Sequence, residues 1–150
     1  ADFLRKVREL GFAVKLDTNG CDPARLAEIL DRGLVDYVAM DVKNAPARYA
    51  ETVGVPDFDL APVEESIRLL RKSTVDYEFR TTLVRELHRP EDLDAIAAWL
   101  AGSPRYYLQN FVDSGNLIGR GYHGFTAEEL RGFAERVRPF FGAVELRGVD

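Results

Sequence analysis

The chain has 150 residues, 46% hydrophobic and 30% charged, with a formal net charge of −5, which is enough apolar material for one core and makes a single domain over 1–150 the expectation. The acidic balance argues against nucleic acid as a partner, because affinity for the phosphate backbone needs a basic footprint. No run approaches the roughly 20 apolar residues of a membrane span, and no charged start followed by an apolar block marks a signal peptide, so the expectation is a cytoplasmic protein with no membrane partner.

Residues 2–10 place Phe3, Leu4, Val7 and Leu10 at helical spacing before Gly11, which predicts a helix ended by glycine. The chain thus opens inside a helix. A strand over Phe12–Leu16 follows, then a helix capped by Asp22 with Pro23 in its first position, carrying Leu26, Ile29 and Leu30 and ending near Gly33. The apolar run Val35–Val42 predicts a second strand. The insert 44–59 holds Pro46, Tyr49, Gly54 and Pro56 and reads as a short helix and a loop. Further on, a helix over 62–72, a strand Val75–Val84, a helix 90–101 opened by Pro90 and a strand Tyr106–Phe111 are expected. The segment DSGNLIGRGYHGF is rich in glycine and turns and reads as a flexible cover; no Lys-Ser/Thr follows it, so it is not a phosphate-cradling loop. A helix over 126–138 and a strand AVELRGV close the chain.

Strands separated by helices should be parallel, and their polar tips should gather on one rim, where open α/β sheets and β/α barrels bind ligands. That rim would carry Asp17, Thr18, Asn19, Asp41, Lys43, Arg80, Thr82 and Gln109. Five strands make a mostly parallel, curved sheet with outer helices but do not close a barrel. Both faces of a parallel sheet want cover and an unpaired edge is a liability, so the expectation is an α/β partial barrel from the C-terminal part of a larger protein. Pairing of two copies through the exposed sheet edge is an expected route to a homodimer. The single cysteine, Cys21, excludes an internal disulfide and cannot alone supply the roughly four ligands of a structural zinc or an iron–sulfur cluster.

The ordered set DTNG at 17–20, DVK at 41–43, EFRTT at 78–82 and LQNF at 108–111 resembles the later β/α units of radical S-adenosylmethionine enzymes, within them the glycyl-radical activating enzymes, and in particular the activating protein of anaerobic ribonucleoside-triphosphate reductase. The resemblance runs over essentially the whole chain. The family's CxxxCxxC cluster motif and GGEP-like segment have no counterpart here, so by resemblance the chain lacks the first two β/α units of a radical enzyme barrel. The implied reaction is reductive cleavage of S-adenosylmethionine to methionine and a 5′-deoxyadenosyl radical that takes a hydrogen from a glycine of a partner, such as anaerobic ribonucleotide reductase. The implied cofactors are S-adenosylmethionine, a 4Fe-4S cluster whose ligands this chain lacks, and a monovalent cation.

The resemblance also implies roles. Lys43 would pair with the methionine carboxylate as a point charge, and Arg80 would offer a planar fork to it or to a bound peptide. Asn19 and Gln109 would hydrogen-bond polar groups of the ligand, with Phe111 and Leu117 flanking the adenine. Asp17 and Asp41, with Thr18 and the backbone near Ala39, would hold the cation, which as a hard ion prefers oxygen.

Each residue also has a plainer reading. Asp17 and Asn19 can form a turn and cap, Asp41 and Lys43 an ion pair on one side of a strand, and Arg80 a surface pair with Glu78 or Glu86. Cys21 reads as a buried or half-buried small residue, His88 and His123 as surface loop residues, and Tyr106, Tyr107 and Trp99 as core. Three functions remain open: a glycyl-radical activase, a radical enzyme with another substrate on the same scaffold, and a non-catalytic piece with a structural or interaction role. Without cluster cysteines, the chain alone is expected to be catalytically silent.

Overall fold

A computed structural model describes residues 1–113 and 121–149. The described residues form an α/β structure with a five-stranded sheet in the order β1-β2-β3-β4-β5. The elements are α1 (Asp2–Glu9), β1 (Lys15–Thr18), α2 (Pro23–Asp31), β2 (Tyr37–Asp41), α3 (Tyr49–Val53), α4 (Ala61–Lys72), β3 (Asp76–Leu83), α5 (Pro90–Leu100), β4 (Arg105–Asn110), α6 (Ala127–Val137) and β5 (Ala143–Arg147). No helix among them is long and apolar enough to cross a membrane. The chain divides into two compact units, 1–41 with 59–78, and 42–58 with 79–150.

In the first unit β1 and β2 run parallel, with Lys15 beside Tyr37 and Thr18 beside Met40. Local chemistry sets the helix ends. Asp22 Oδ1 accepts the Arg25 N–H at 2.9 Å, with Pro23 in the first turn of α2. Leu26 and Ile29 of α2 and Val63, Ser66, Ile67 and Leu70 of α4 are buried, and these two helices pack on each other. The α1 helix forms where its apolar spacing predicts, yet buries nothing: Phe3 and Leu10 are each 74% exposed.

The second unit repeats the scheme. β3, β4 and β5 are parallel, with Arg80 beside Tyr107, Thr82 beside Gln109 and Gln109 beside Arg147. α5 begins at Pro90, where the Asp92 carboxylate takes the Arg89 N–H at 2.8 Å. α6 begins with a capping box: Thr126 Oγ1 accepts the Glu129 N–H at 3.2 Å and Glu129 Oε2 accepts the Thr126 N–H at 2.8 Å. Leu93, Ile96, Leu100, Leu130 and Val137 from these helices are buried with Phe79, Tyr106 and Leu108 from the sheet.

The helix predictions hold to within about two residues, and the insert 44–59 contains a 3-10 turn at Pro46–Arg48 leading into α3, which Gly54 ends at φ 73°. The first strand is the exception. It was expected over Phe12–Leu16 and runs over Lys15–Thr18. Phe12 is 65% exposed, the Val14 N–H is diverted to the Asp36 carboxylate at 2.7 Å, and the Val14 carbonyl takes the Asp36 and Tyr37 amides, so the ladder starts at Lys15. A polar KLDT stretch is tolerated as a strand because it lies at the end of the sheet order, on an edge.

Candidate functional site

Asp17, Thr18, Asn19, Asp41, Lys43, Thr82 and Gln109 lie at or next to the C-terminal ends of their strands, whereas Arg80, expected on the same rim, lies inside β3, three residues before its last residue, Leu83. In the first unit, register and alternation put Asp17, Ala39 and Asp41 on one face and Thr18 with Met40 on the other. Asp17 is exposed, with Lys15 Nζ at 3.8 Å. Thr18 Oγ1 accepts the Gly20 N–H at 3.1 Å, and Asn19 Oδ1 accepts the Cys21 N–H at 3.0 Å, so this stretch is a pair of side-chain-closed turns. Ser66 Oγ donates to the Gly20 carbonyl at 2.7 Å. The capping of α2 falls to Asp22 rather than to Asp17 or Asn19. Cys21 is exposed, contrary to its expected burial, because the turn that follows Asn19 carries it out of the core.

In the second unit the β3–β4–β5 sheet has two unlike faces. Phe79, Thr81, Leu83, Tyr106 and Leu108 are buried on one. Arg80, Thr82, Tyr107 and Gln109 share the other, which is half-buried to exposed. There the Arg147 guanidinium lies 3.9 Å from the Tyr107 ring centre. Glu86 is committed to His123, accepting its backbone N–H at 2.8 Å and facing Nδ1 at 2.6 Å, and Glu78 Oε2 accepts the Tyr37 hydroxyl at 2.7 Å. The His123 ring holds its partner's carboxyl below the usual range. Phe111 packs edge-on against Tyr122 at 6.5 Å and, with Asp113 and Phe125, lines an open cavity of about 470 Å³. Leu117 and the central part of the predicted cover lie outside the described residues.

The DVK segment is held by side chains that the sequence reading passed over. The Lys43 N–H donates to the Tyr49 hydroxyl at 3.2 Å. Asn44 is fully buried, with Nδ2 donating to Thr52 Oγ1 at 2.9 Å and to the Leu87 carbonyl at 3.0 Å. Thr81 Oγ1 donates to the Val42 carbonyl at 2.8 Å and itself accepts from the Tyr106 hydroxyl at 2.6 Å. His88, expected on the surface, is 4% exposed, because its ring turns inward to meet backbone groups at both nitrogens. Asn110 also went unnoticed: its amide exchanges two hydrogen bonds with the Phe125 backbone, at 3.0 and 2.9 Å. The D-x-K-N spacing was the one signal available for Asn44. For His88 there was none.

Among the described residues no three His, Cys, Asp or Glu side chains converge on a metal-sized point. Asp17 and Asp41 are two acids on one face of their strands, with the Thr18 hydroxyl on the other.

No protein-family model matches the chain. It is 35% identical over 114 residues to a protein of Methanocaldococcus jannaschii described as a "putative glycyl-radical enzyme activating enzyme", an alignment covering 73% of this chain and 47% of that protein. The chain therefore spans about half the length of the curated relative it matches. In structure it is similar to a domain of pyruvate-formate lyase-activating enzyme from Bacteroides vulgatus, with a TM-score of 0.77, 15% identity, and coverage of 98% of this chain and 88% of that one. The second likeness is one of fold.

Proposed function

We propose that this chain is the S-adenosylmethionine-binding part of a radical enzyme of the glycyl-radical activase type. The observation that carries the reading is the 35% identity to the archaeal relative, and the fold likeness to an activating-enzyme domain agrees with it. When bound, S-adenosylmethionine would supply, on taking one electron from a reductant outside these residues and releasing methionine, the 5′-deoxyadenosyl group that accepts a hydrogen atom from a glycine of the partner. Lys43 and Arg80 answer the ligand's carboxylate, Asn19 and Gln109 its polar edges, and Phe111 its adenine. Asp17 and Asp41, with the backbone at Ala39, hold a monovalent cation beside it, and the Thr18 hydroxyl, which faces the other way and receives the Gly20 amide, serves the turn instead. Side chains of these kinds suit such a ligand, which needs charges of both signs and a flat apolar contact. They do not suit an iron–sulfur cluster, since the sole cysteine of this sequence, Cys21, is one ligand where about four are needed, and no step through a cluster is assigned to these residues. The finer reading of the partner is anaerobic ribonucleotide reductase, on the strength of the combined DTNG, DVK, EFRTT and LQNF motifs.

Calorimetric titration with S-adenosylmethionine in sodium or potassium buffer tests the reading. Binding is expected to weaken about tenfold or more in Lys43→Ala, the loss of one charge-assisted hydrogen bond being worth roughly 1.5–3 kcal/mol. Affinity unmoved by Lys43→Ala and by Asp41→Ala would refute the assignment.

A further inference from the structure

Lys43 is an exposed residue between two neighbours without accessible surface, Val42 and Asn44. The direction of its side chain is therefore set by how its own peptide groups are held. The amide is taken by the Tyr49 hydroxyl at 3.2 Å. The carbonyl oxygen lies 2.8 Å from His88 Nε2. The other ring nitrogen, Nδ1, lies 3.0 Å from the Val84 amide nitrogen. That amide can only donate, so Nδ1 accepts and the ring proton sits on Nε2, donated to Lys43. The Val84 carbonyl, 3.2 Å from Nδ1, is already occupied by the Leu87 and His88 amides at 3.0 and 2.9 Å. A histidine that only closed the turn 84–88 would need Nδ1 alone. The second nitrogen reaches 45 residues back along the chain, to the residue assigned to the ligand carboxylate.

We infer that His88 is a positioning residue for Lys43: its Nε2–H fixes the Lys43 carbonyl, and with Tyr49 on the amide it aims the lysine ammonium at a carboxylate ligand. The inference rests on the reading of Lys43 given above. The surroundings leave the imidazole no other duty. Asp92 is committed to Arg48 at 2.8 Å and to the Arg89 amide at 2.8 Å, and Arg48 also pairs with Glu51 at 2.9 Å.

Two conservative variants separate the two ring contacts. In His88→Gln the amide nitrogen stands close to Nε2, so the donor to Lys43 is kept and the Val84 contact is lost. In His88→Asn the amide oxygen stands close to Nδ1, so the turn contact is kept and the donor to Lys43 is lost. NMR without ligand reads the two contacts separately: the Lys43 carbonyl carbon resonance should shift in His88→Asn, which loses the donor to it, with Val84 amide protection retained, whereas in His88→Gln that resonance should hold its place and the Val84 amide should exchange about tenfold faster. Titration with S-adenosylmethionine should show about a tenfold loss of affinity in His88→Asn, a loss within threefold in His88→Gln, and no added loss from His88→Asn in a Lys43→Ala background. Equal losses in the two variants, an unmoved Lys43 carbonyl resonance in His88→Asn, or losses that add in the double variant would each overturn the positioning role. If Lys43→Ala alone left affinity unchanged, the reading of Lys43 would fall and the aim at a ligand with it, and the Lys43 carbonyl resonance in His88→Asn would separately decide whether His88 holds the Lys43 backbone.

Discussion

The terminal methyl of Met40 fills the space that a β-carbon at Gly20 would occupy. Gly20 also sits at φ +74°, in the left-handed region, so the last residue of DTNG is a glycine for two separable reasons. A methyl there meets a fully buried thioether, with Ser66 Cβ at 3.3 Å closing off one way out. The left-handed backbone alone costs an L residue about 1–2 kcal/mol, and overpacking adds about 1–3 kcal/mol. Gly33, at φ +60° with nothing within 4 Å of an added β-carbon, is the internal control. Gly20→Ala is expected to lower unfolding stability by about 2–5 kcal/mol and Gly33→Ala by about 1–2 kcal/mol, read from urea midpoints. Equal losses would show that Met40 yields and that only the backbone angle matters.

The relay from Tyr106 through Thr81 to the Val42 carbonyl is unequal in its two links. Thr81 and Tyr106 are at most 1% exposed, and burial pushes the Tyr106 phenol well above its ordinary range. Tyr106→Phe removes a donor and leaves Thr81 still bonded to Val42, for a cost of about 1 kcal/mol. Thr81→Val strands both a buried phenol and a buried carbonyl, for about 2–4 kcal/mol. Denaturant unfolding of the two variants and their double should show the pair to be non-additive, with the double costing no more than Thr81→Val alone, because a phenol that has been removed no longer needs a partner.

What the sequence made legible follows from how local each cause is. The caps of α2 and α6 lie within three residues of the groups they satisfy, so Asp22 with Pro23, and the helix led by Thr126, could be placed without a structure. The polar tips DTNG and DVK were visible because parallel strands end in polar residues. The span of β1 was not, since its start is decided by Asp36, 22 residues away, taking the Val14 amide. His88 was misread as a surface residue for the same reason. Both of its partners are backbone groups, one of them on Lys43, and backbone leaves no mark in composition or spacing.

The cation assignment predicts a specific ion dependence. If Asp17 and Asp41 hold a monovalent cation beside S-adenosylmethionine, affinity should be highest in sodium or potassium and fall severalfold when choline, too large for an oxygen cage, replaces them at equal ionic strength. Asp41→Asn keeps an oxygen ligand and loses the charge, so it should weaken binding and flatten the dependence on ion type. Thr18→Val tests a different link. The Thr18 hydroxyl faces away from Asp17 and receives the Gly20 amide, so its loss should cost stability, about 1 kcal/mol, more than ion selectivity. Ion selectivity unchanged in Asp41→Asn would remove the cation from the site.

The His88 ring also gives the fold a pH dependence of known sign. Burial is the main influence and holds the imidazole below its ordinary value, with Arg48 acting in the same direction and with the Lys43 and Val84 carbonyls and Asp92 opposing. The fold thus prefers neutral His88. A group whose folded value is depressed contributes stability that is full above its unfolded value, near 6.5 for histidine, and is lost as pH falls through that value toward the lowered one. Asp36, Glu51, Glu86, Asp94 and Glu129 are all held below the ordinary carboxylate range by their partners, so they titrate below this window. Between about pH 6.5 and 5 the urea midpoint of the native chain should fall more steeply than that of His88→Gln, which cannot take up a proton there. The same interval should break the turn contact: a protonated ring turns Nδ1 from acceptor to donor against the Val84 N–H, so the Val84 amide should lose protection while Nε2–H remains a donor to the Lys43 carbonyl. Parallel midpoint curves for the two proteins would mean that the ring accepts its proton in place, and that the Val84 carbonyl can serve it after all.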